Sequence, residues 1–141
     1  MARINRNRGK IIIASVAVVA VMGVLLAVKF MTPAKVSSDC TDMTHHAAVT
    51  LNYTAQQEFS PKCVMVTSGT KITYTNQSAA ELQVGADPHP IHSGNREVSN
   101  GGFILSVKPS ESASSTMTKV GTFGLHDHIN EASNAVIQVQ P

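Results

Sequence analysis

The 141-residue chain has a formal net charge of +2, and four basic residues precede its first apolar run: Arg3, Arg6, Arg8 and Lys10. The remaining residues are close to charge balance, which excludes the extended basic surface of a nucleic-acid-binding protein. Aromatic residues make up only 4% of the chain, while Val, Ile, Thr and Ser are frequent, a composition typical of β-strands and turns.

An uncharged apolar segment, Ile11 to Val28, follows the basic residues. Its length of about eighteen residues is at the short end of what spans a bilayer core, and the next three residues can complete the span at the interface. We therefore predict a transmembrane signal anchor over residues 11–31, which spans the cell membrane once. Residues 1–10 are expected in the cytoplasm, and the chain after residue 31 is expected on the extracytoplasmic side. A cleaved signal peptide and a buried core helix are the alternatives, although no small-residue cleavage motif follows the run.

Residues 32–46 are polar, contain a proline and show no periodicity, which is typical of a linker. From residue 47 onward, short runs of alternating apolar and polar residues are separated by turn residues, and no helical period appears. We therefore predict one all-β domain over residues 47–141, a Greek-key β-sandwich. Its core is expected to include Val64, Val66, Ile72, Tyr74, Phe123, Leu125 and Val139.

The chain has two cysteines, Cys40 and Cys63. Outside the cytoplasm two thiols usually pair, so we expect a disulfide that attaches the linker to the first core strand. Closing such a loop stabilises a domain by roughly 3 kcal/mol in the chain-entropy model. Two alternatives remain: the thiols bind a metal together with His45 and His46, or they are unpaired.

In order and spacing, several segments resemble the cupredoxin (plastocyanin/azurin-like) domain: Phe59-Ser60-Pro61, Val64-Met65-Val66, Gly69-Thr70, Ile72-Thr73-Tyr74-Thr75-Asn76, Gly121-Thr122-Phe123 and Val136-Ile137-Gln138-Val139. The resemblance covers residues 49–139 and implies a cupredoxin-like β-sandwich. It also implies where the four ligands of a blue-copper centre would lie, and none is retained, because those positions hold Leu82, Asp127, Asn130 and Ser133. A blue-copper centre requires a thiolate, so none is expected here.

Two histidine-rich motifs are present instead, Asp87-Pro88-His89-Pro90-Ile91-His92 and His126-Asp127-His128-Ile129-Asn130. They resemble a branch of cupredoxin-like proteins that carry a DPHPxH loop and an HDHxN loop and no blue-copper cysteine. Leu82 departs from the histidine commonly expected in that branch, which argues against a fifth ligand from its strand.

The spacing of the four histidines in these motifs suits a metal site. Residues two apart on a strand face the same side, so His126 and His128 can present their rings together. His89 and His92 lie three apart in a loop whose prolines restrict the backbone. We predict that these four side chains bind a metal ion, Cu(II) first and Zn(II) second, because borderline cations favour neutral nitrogen ligands.

The acidic residues within the motifs, Asp87 and Asp127, are expected to orient the ligand rings, or one of them to ligate directly. His45 and His46 lie in the linker and are expected to face solvent. Two isolated acids near loop ends are not expected to bind metal: Glu81 and Glu131. Two alternatives to the metal site remain open: the four histidines are purely structural, or they form a pH-responsive surface because clustered imidazoles titrate near neutrality.

The predicted function is that of a membrane-anchored, extracytoplasmic, cupredoxin-like protein that binds copper through histidines, for copper handling or electron transfer. It is not predicted to be an enzyme, and its predicted partners are the membrane and a metal ion. Two other functions remain open. One is a metal-free β-sandwich that serves as an interaction module at the cell surface, and the other is an open copper site that reacts with oxygen species.

Overall fold

A computed structural model describes residues 40–141. The predicted basic N-terminus, the transmembrane anchor over residues 11–31 and most of the predicted linker lie outside the described residues. Within residues 40–141, no helix is long and apolar enough to cross a membrane.

The described residues form ten β-strands and one short 3-10 helix. The strands are β1 (Thr41–Asp42), β2 (Ala48–Tyr53), β3 (Phe59–Ser60), β4 (Cys63–Thr67), β5 (Thr70–Asn76), β6 (Leu82–Ala86), β7 (Ile104–Val107), β8 (Ser112–Met117), β9 (Gly121–Asp127) and β10 (Asn134–Gln140). The 3-10 helix, Arg96–Ser99, lies between β6 and β7. One sheet has the order β1-β4-β10-β9-β6-β7 and the other has the order β3-β2-β5-β8. The predicted all-β sandwich is therefore confirmed.

The strands form where apolar and polar residues alternate, as β5 illustrates. Ile72 and Tyr74 are buried, while Lys71 is exposed and Thr73 is only partly buried, as expected when successive side chains point to opposite faces. Buried side chains from both sheets form one hydrophobic core. Of the core residues predicted from the sequence, all are buried except Phe123, which is partly buried and packs against the core, because the first half of β9 is more exposed than the second.

The predicted disulfide between Cys40 and Cys63 is confirmed. It holds the start of the described chain beside β4, and Thr41 and Asp42 then pair with that strand in parallel. The backbone N–H of Met43 continues the ladder by donating to the carbonyl of Met65 at 2.8 Å. Part of the segment that the sequence assigns to the linker is thus an edge strand of the six-stranded sheet.

Candidate metal centre

The two histidine motifs are brought together by the pairing of β6 with β9. These strands are antiparallel neighbours, with Gly85 opposite His126. The pairing continues past the end of β9, because the backbone N–H of His128 donates to the carbonyl of Gln83 at 2.7 Å. The loop after β6 carries the first motif and folds back over the strand, which places the ring of His92 directly above Gly85.

The structure brings all four predicted histidines into one cluster. Each offers a ring nitrogen, and these nitrogens all lie within 4.8 Å of one another. His92 and His126 are buried, while His89 and His128 are partly buried. The centroid of the His92 ring lies 4.9 Å from those of His126 and His128, and that of the His89 ring lies 4.9 Å from that of His128. The cluster therefore has two interior rings and two rings that reach toward solvent.

His92 is held in place by two neighbours and by the conformation of its own backbone. Position 85 is glycine, and any Cβ there would overlap the His92 ring. On another side, the ring of Phe103 stacks on the imidazole with centroids 4.3 Å apart, and Arg96 lies 5.7 Å from the Phe103 centroid. The backbone of His92 has φ +51, in the left-handed region that a non-glycine residue enters only when its surroundings fix it there. We take this conformation as a sign that the ring position is strongly determined.

Burial lowers the pKa of His92, and the neighbouring imidazoles of His126, His128 and His89 lower it further. The ring is therefore neutral at physiological pH, and a neutral imidazole is the form that binds a metal. Its Nε2 lies 3.0 Å from Nδ1 of His128, so one of these two rings donates a hydrogen bond to the other.

Carboxylates contact two of the four rings. Nδ1 of His126 lies 2.6 Å from Oδ1 of Asp87, and Nδ1 of His89 lies 3.2 Å from Oε2 of Glu131. Asp87 therefore contacts a ring of the cluster, as the sequence predicts. The sequence predicts Glu131 to be an isolated acid and does not predict its position beside His89. The turn between Asn130 and Asn134 brings it to the first motif, and this turn has no recognisable sequence pattern.

Asp127 has a different role from the one expected for it. Its Oδ2 accepts a hydrogen bond from the hydroxyl of Tyr53 at 2.6 Å, and its Oδ1 accepts backbone N–H groups of Gln83 and Ile129 at 3.0 and 3.2 Å. These bonds are on the opposite side of β9 from the two histidine rings, so Asp127 joins the two sheets and does not orient a ring. Burial raises the pKa of Tyr53, and the nearby Asp127 carboxylate raises it further.

The other positions singled out in the sequence lie apart from the cluster. Leu82 is fully buried in the core, while Glu81, His45 and His46 are exposed. Neither cysteine offers a thiolate, because both are in the disulfide. The alternative in which the cysteines and the linker histidines bind metal is therefore excluded for the disulfide-bonded protein.

The hydrogen bonding of the histidine ring nitrogens tests whether a metal ion fits the cluster. Nε2 of His126 and Nδ1 of His92 are buried and have no hydrogen-bond partner. In a tetrahedral site with metal–nitrogen bonds of about 2.0–2.1 Å, neighbouring donor nitrogens are about 3.3 Å apart. The ring nitrogens of the cluster lie within 4.8 Å of one another, so they would have to close by at most about 1.5 Å around an ion. The donor set therefore fits one metal ion.

Three exposed apolar side chains adjoin the cluster, either in sequence or by contact: Ile91 (66% exposed), Phe103 (48%) and Ile129 (58%). Ile91 and Ile129 each directly adjoin a histidine of the cluster. Phe103 contacts two cluster rings, with its centroid 6.2 Å from that of His128. Phe103 is therefore the exposed apolar side chain that contacts the cluster directly.

A scan against protein-family models finds no match, and a search of curated proteins finds none. Among solved structures, a mutant of amicyanin in the Cu(I) form matches with a TM-score of 0.51 and 18% identity, over 67% of this chain and 84% of that chain. A reduced form of another amicyanin mutant matches with a TM-score of 0.51 and 19% identity, over 67% and 83%. At this identity the likeness establishes the fold.

The fold and the site together define a cupredoxin-like domain without the blue-copper cysteine. The domain has a two-sheet sandwich, a cluster of four histidines at the position of the two motifs, and both of its cysteines in a disulfide. The fold implied by the resemblance of the sequence motifs is thereby confirmed.

Proposed function

We propose that this domain binds one copper ion, as Cu(II), through His89, His92, His126 and His128. The observation that carries the proposal is the buried ring nitrogen without a partner, Nε2 of His126, inside a cluster of four imidazoles. A buried polar atom is normally satisfied, because leaving it unpaired costs about 1–3 kcal/mol. A metal bound at the cluster would satisfy the Nε2 atom of His126 and would offset the mutual crowding of the rings.

The donor type supports copper over other divalent ions. Four neutral imidazole nitrogens favour borderline cations, and Cu(II) binds most tightly among first-row divalent metals, with Zn(II) behind it. A copper ion would supply one-electron chemistry between Cu(II) and Cu(I). Without a thiolate, the bound Cu(II) would have the spectroscopic properties of ordinary nitrogen-ligated copper.

The proposed role is copper handling or electron transfer, with no catalytic role. Four protein ligands fill a tetrahedral or square coordination shell and leave no open position for a substrate, unlike catalytic sites with three protein ligands. The proposed location is the outer side of the cell membrane. It is supported by the uncharged apolar segment from Ile11 to Val28 and by the disulfide, since disulfides persist in oxidising compartments.

The test is calorimetric titration of the soluble fragment, residues 35–141, with Cu(II) and separately with Zn(II). We expect one Cu(II) per domain, an EPR spectrum of nitrogen-ligated copper and no intense thiolate-to-copper absorption. His45→Ala combined with His46→Ala is the matched control, since these histidines are exposed and outside the cluster, and it should bind Cu(II) normally. An intense blue absorption would show that a cysteine reaches the metal and would contradict the proposal.

A second candidate function is a metal-free interaction module. It is favoured by the exposed apolar residues beside the cluster, since Ile91, Phe103 and Ile129 are three of the four large hydrophobic residues exposed within residues 40–141. Contiguous exposed apolar surface marks an interaction site more often than scattered residues do. A domain that takes up neither Cu(II) nor Zn(II) in the titration would favour this function.

A further inference from the structure

We propose that Asp87 is a positioning residue that holds the proton of neutral His126 on Nδ1, so that Nε2 is the nitrogen offered to the metal; this inference rests on the proposed function. Oδ1 of Asp87 lies 2.6 Å from Nδ1 of His126, whose side chain is only 3% exposed. An ionised carboxylate can only accept hydrogen bonds, so the nitrogen that faces it must carry the proton. The other nitrogen, Nε2, is the buried atom without a partner.

The carboxylate of Asp87 is placed by the surrounding backbone. Its Oδ2 lies over Gly124, where any Cβ would overlap the carboxylate. The backbone N–H of Asp87 donates to the carbonyl of Gly124 at 3.1 Å, and its carbonyl accepts the N–H of Gly94 at 2.9 Å. Both glycines therefore fix the backbone and side chain of Asp87 against β9, next to His126. Glycine inside a strand often marks such a close approach.

The contact between His89 and Glu131 differs from the contact between His126 and Asp87 in its exposure and its length. The Glu131 carboxylate is 67% exposed, the His89 side chain is 27% exposed, and the two atoms are 3.2 Å apart. For Asp87 and His126 the exposed fractions are 48% and 3%, and the atoms are 2.6 Å apart. An exposed contact of this length holds a ring weakly, because solvent competes for both groups. Of the two rings that meet a carboxylate, His126 is thus the one whose tautomer and orientation are set before a metal binds.

The consequence for metal binding follows from the tautomer. A ring with its proton on Nε2 would present an N–H to the cluster and would have to exchange that proton before ligating. Residues that orient a metal-binding histidine through its other nitrogen typically contribute 10–100-fold to metal affinity. We expect this range for Asp87.

The test is measurement of the ring ¹⁵N shifts of His126 in the metal-free, full-length protein at about pH 8.5, where imidazoles are neutral. We expect the proton on Nδ1 in the native protein. In Asp87→Ala the Nε2–H tautomer should become populated, and Cu(II) affinity should fall by about 10–100-fold. Gly124→Ala should have the same effect on the tautomer while keeping Asp87, because the new Cβ displaces the carboxylate.

Glu131→Gln is the matched control, because it alters the other carboxylate and should leave the His126 tautomer unchanged. A native His126 that carries its proton on Nε2, or an unchanged tautomer in Asp87→Ala with the remaining resonances in their native positions, would overturn the assignment. The tautomer is measured in the metal-free protein, so its outcome does not depend on copper binding. If the ¹⁵N shifts are as expected but the protein binds no copper, the role of Asp87 in fixing the tautomer is supported and only the proposed copper function is contradicted.

Discussion

Gly85 and the imidazole of His92 occupy adjoining space, so closely that the ring takes the volume of a Cβ at position 85. Glycine in the middle of a paired strand normally weakens it, because it has no side chain to pack. Here its lack of a side chain lets the edge of a buried imidazole approach the strand backbone. The position of His92 in the cluster thus depends on Gly85, a residue that has no side chain.

The first prediction follows from that contact. Gly85→Ala should displace the His92 ring, lower Cu(II) affinity at least about tenfold and destabilise the loop, because the ring cannot move into the core. Titration calorimetry measures the affinity and thermal unfolding the stability. Ser106→Ala, an exposed position on the neighbouring β7, is the control and should change neither. Native affinity in Gly85→Ala would show that His92 is not a ligand.

The second prediction concerns the cluster as one site. His126→Ala and His89→Ala should each weaken Cu(II) binding by about an order of magnitude or more, because water replaces a lost imidazole poorly. The larger loss is expected for His126, which is buried and held by Asp87. Circular dichroism should show a folded domain in both, since neither ring belongs to the hydrophobic core. Equal binding by both variants and the native domain would contradict the four-histidine site.

The third prediction concerns alkaline pH. Burial and the Asp127 carboxylate raise the pKa of Tyr53 above its ordinary value, so the folded state keeps the phenol proton that the unfolded state loses near pH 10. The free energy of unfolding should therefore fall as pH rises above about 10. Urea unfolding at pH 8 to 11 measures this loss.

Tyr53→Phe tests whether Tyr53 causes this loss of unfolding free energy at alkaline pH. The variant should be destabilised by about 1–3 kcal/mol at neutral pH, because the buried Asp127 carboxylate loses a donor. It should lose less stability than the native domain between pH 10 and 11. The remaining loss is expected from Tyr74, whose pKa burial also raises. An unchanged alkaline slope would mean that Tyr53 does not contribute to it.

The fourth prediction concerns acidic pH and Glu97, in the 3-10 helix. Burial raises the pKa of this carboxylate, but hydrogen bonds from Thr118, Lys119 and Asn95 outweigh the burial and lower the pKa to about 2. The stabilisation by Glu97 is thus fully present above its unfolded-state pKa of 4.5 and is lost as pH falls toward 2. Glu97→Gln should flatten the decline of unfolding free energy between pH 4.5 and 2. Glu81→Gln, an exposed acid, is the control and should leave the slope unchanged.

The fifth prediction concerns the disulfide. Reduction, or Cys40→Ser combined with Cys63→Ser, should lower the free energy of unfolding by roughly 3 kcal/mol, because the unfolded chain is no longer cross-linked. Amide hydrogen exchange should increase first at Met43, whose bond to Met65 belongs to the edge held by the disulfide. Copper binding should be retained, since neither cysteine lies in the cluster. Loss of copper binding on reduction would contradict the separation of the two sites.

The sequence predicts the sandwich well because alternation is local, as in β2 and β5, where inward side chains recur every second residue. It also predicts which histidines converge, since the two motifs resemble a known pair. It does not predict the partners of those rings. Asp87 meets His126 across 39 residues, and that meeting depends on the register of β6 with β9 and on the path of a loop. The role of Asp127 was predicted wrongly, because the alternation of residues shows which face of a strand a side chain occupies but not that Tyr53 faces it from the other sheet.

The edge strand β1 was missed for a different reason. It has two exposed polar residues, so no apolar pattern distinguishes it from a linker. Its place in the sheet comes from backbone hydrogen bonds beside the disulfide, which do not depend on side-chain polarity.

The position of β10 determines when the six-stranded sheet can assemble. This last strand lies between β4 and β9, so β1 and β4 contact the rest of their sheet only through residues 134–140. During synthesis, more than half of the domain must therefore be made after β4 before this strand gains its second partner, β10. Such distant pairings close slowly, and unpaired edges are prone to aggregate meanwhile. We expect nascent chains stalled before Asn134 to be sensitive to protease and to bind chaperones, and the domain to become resistant only once β10 has been released.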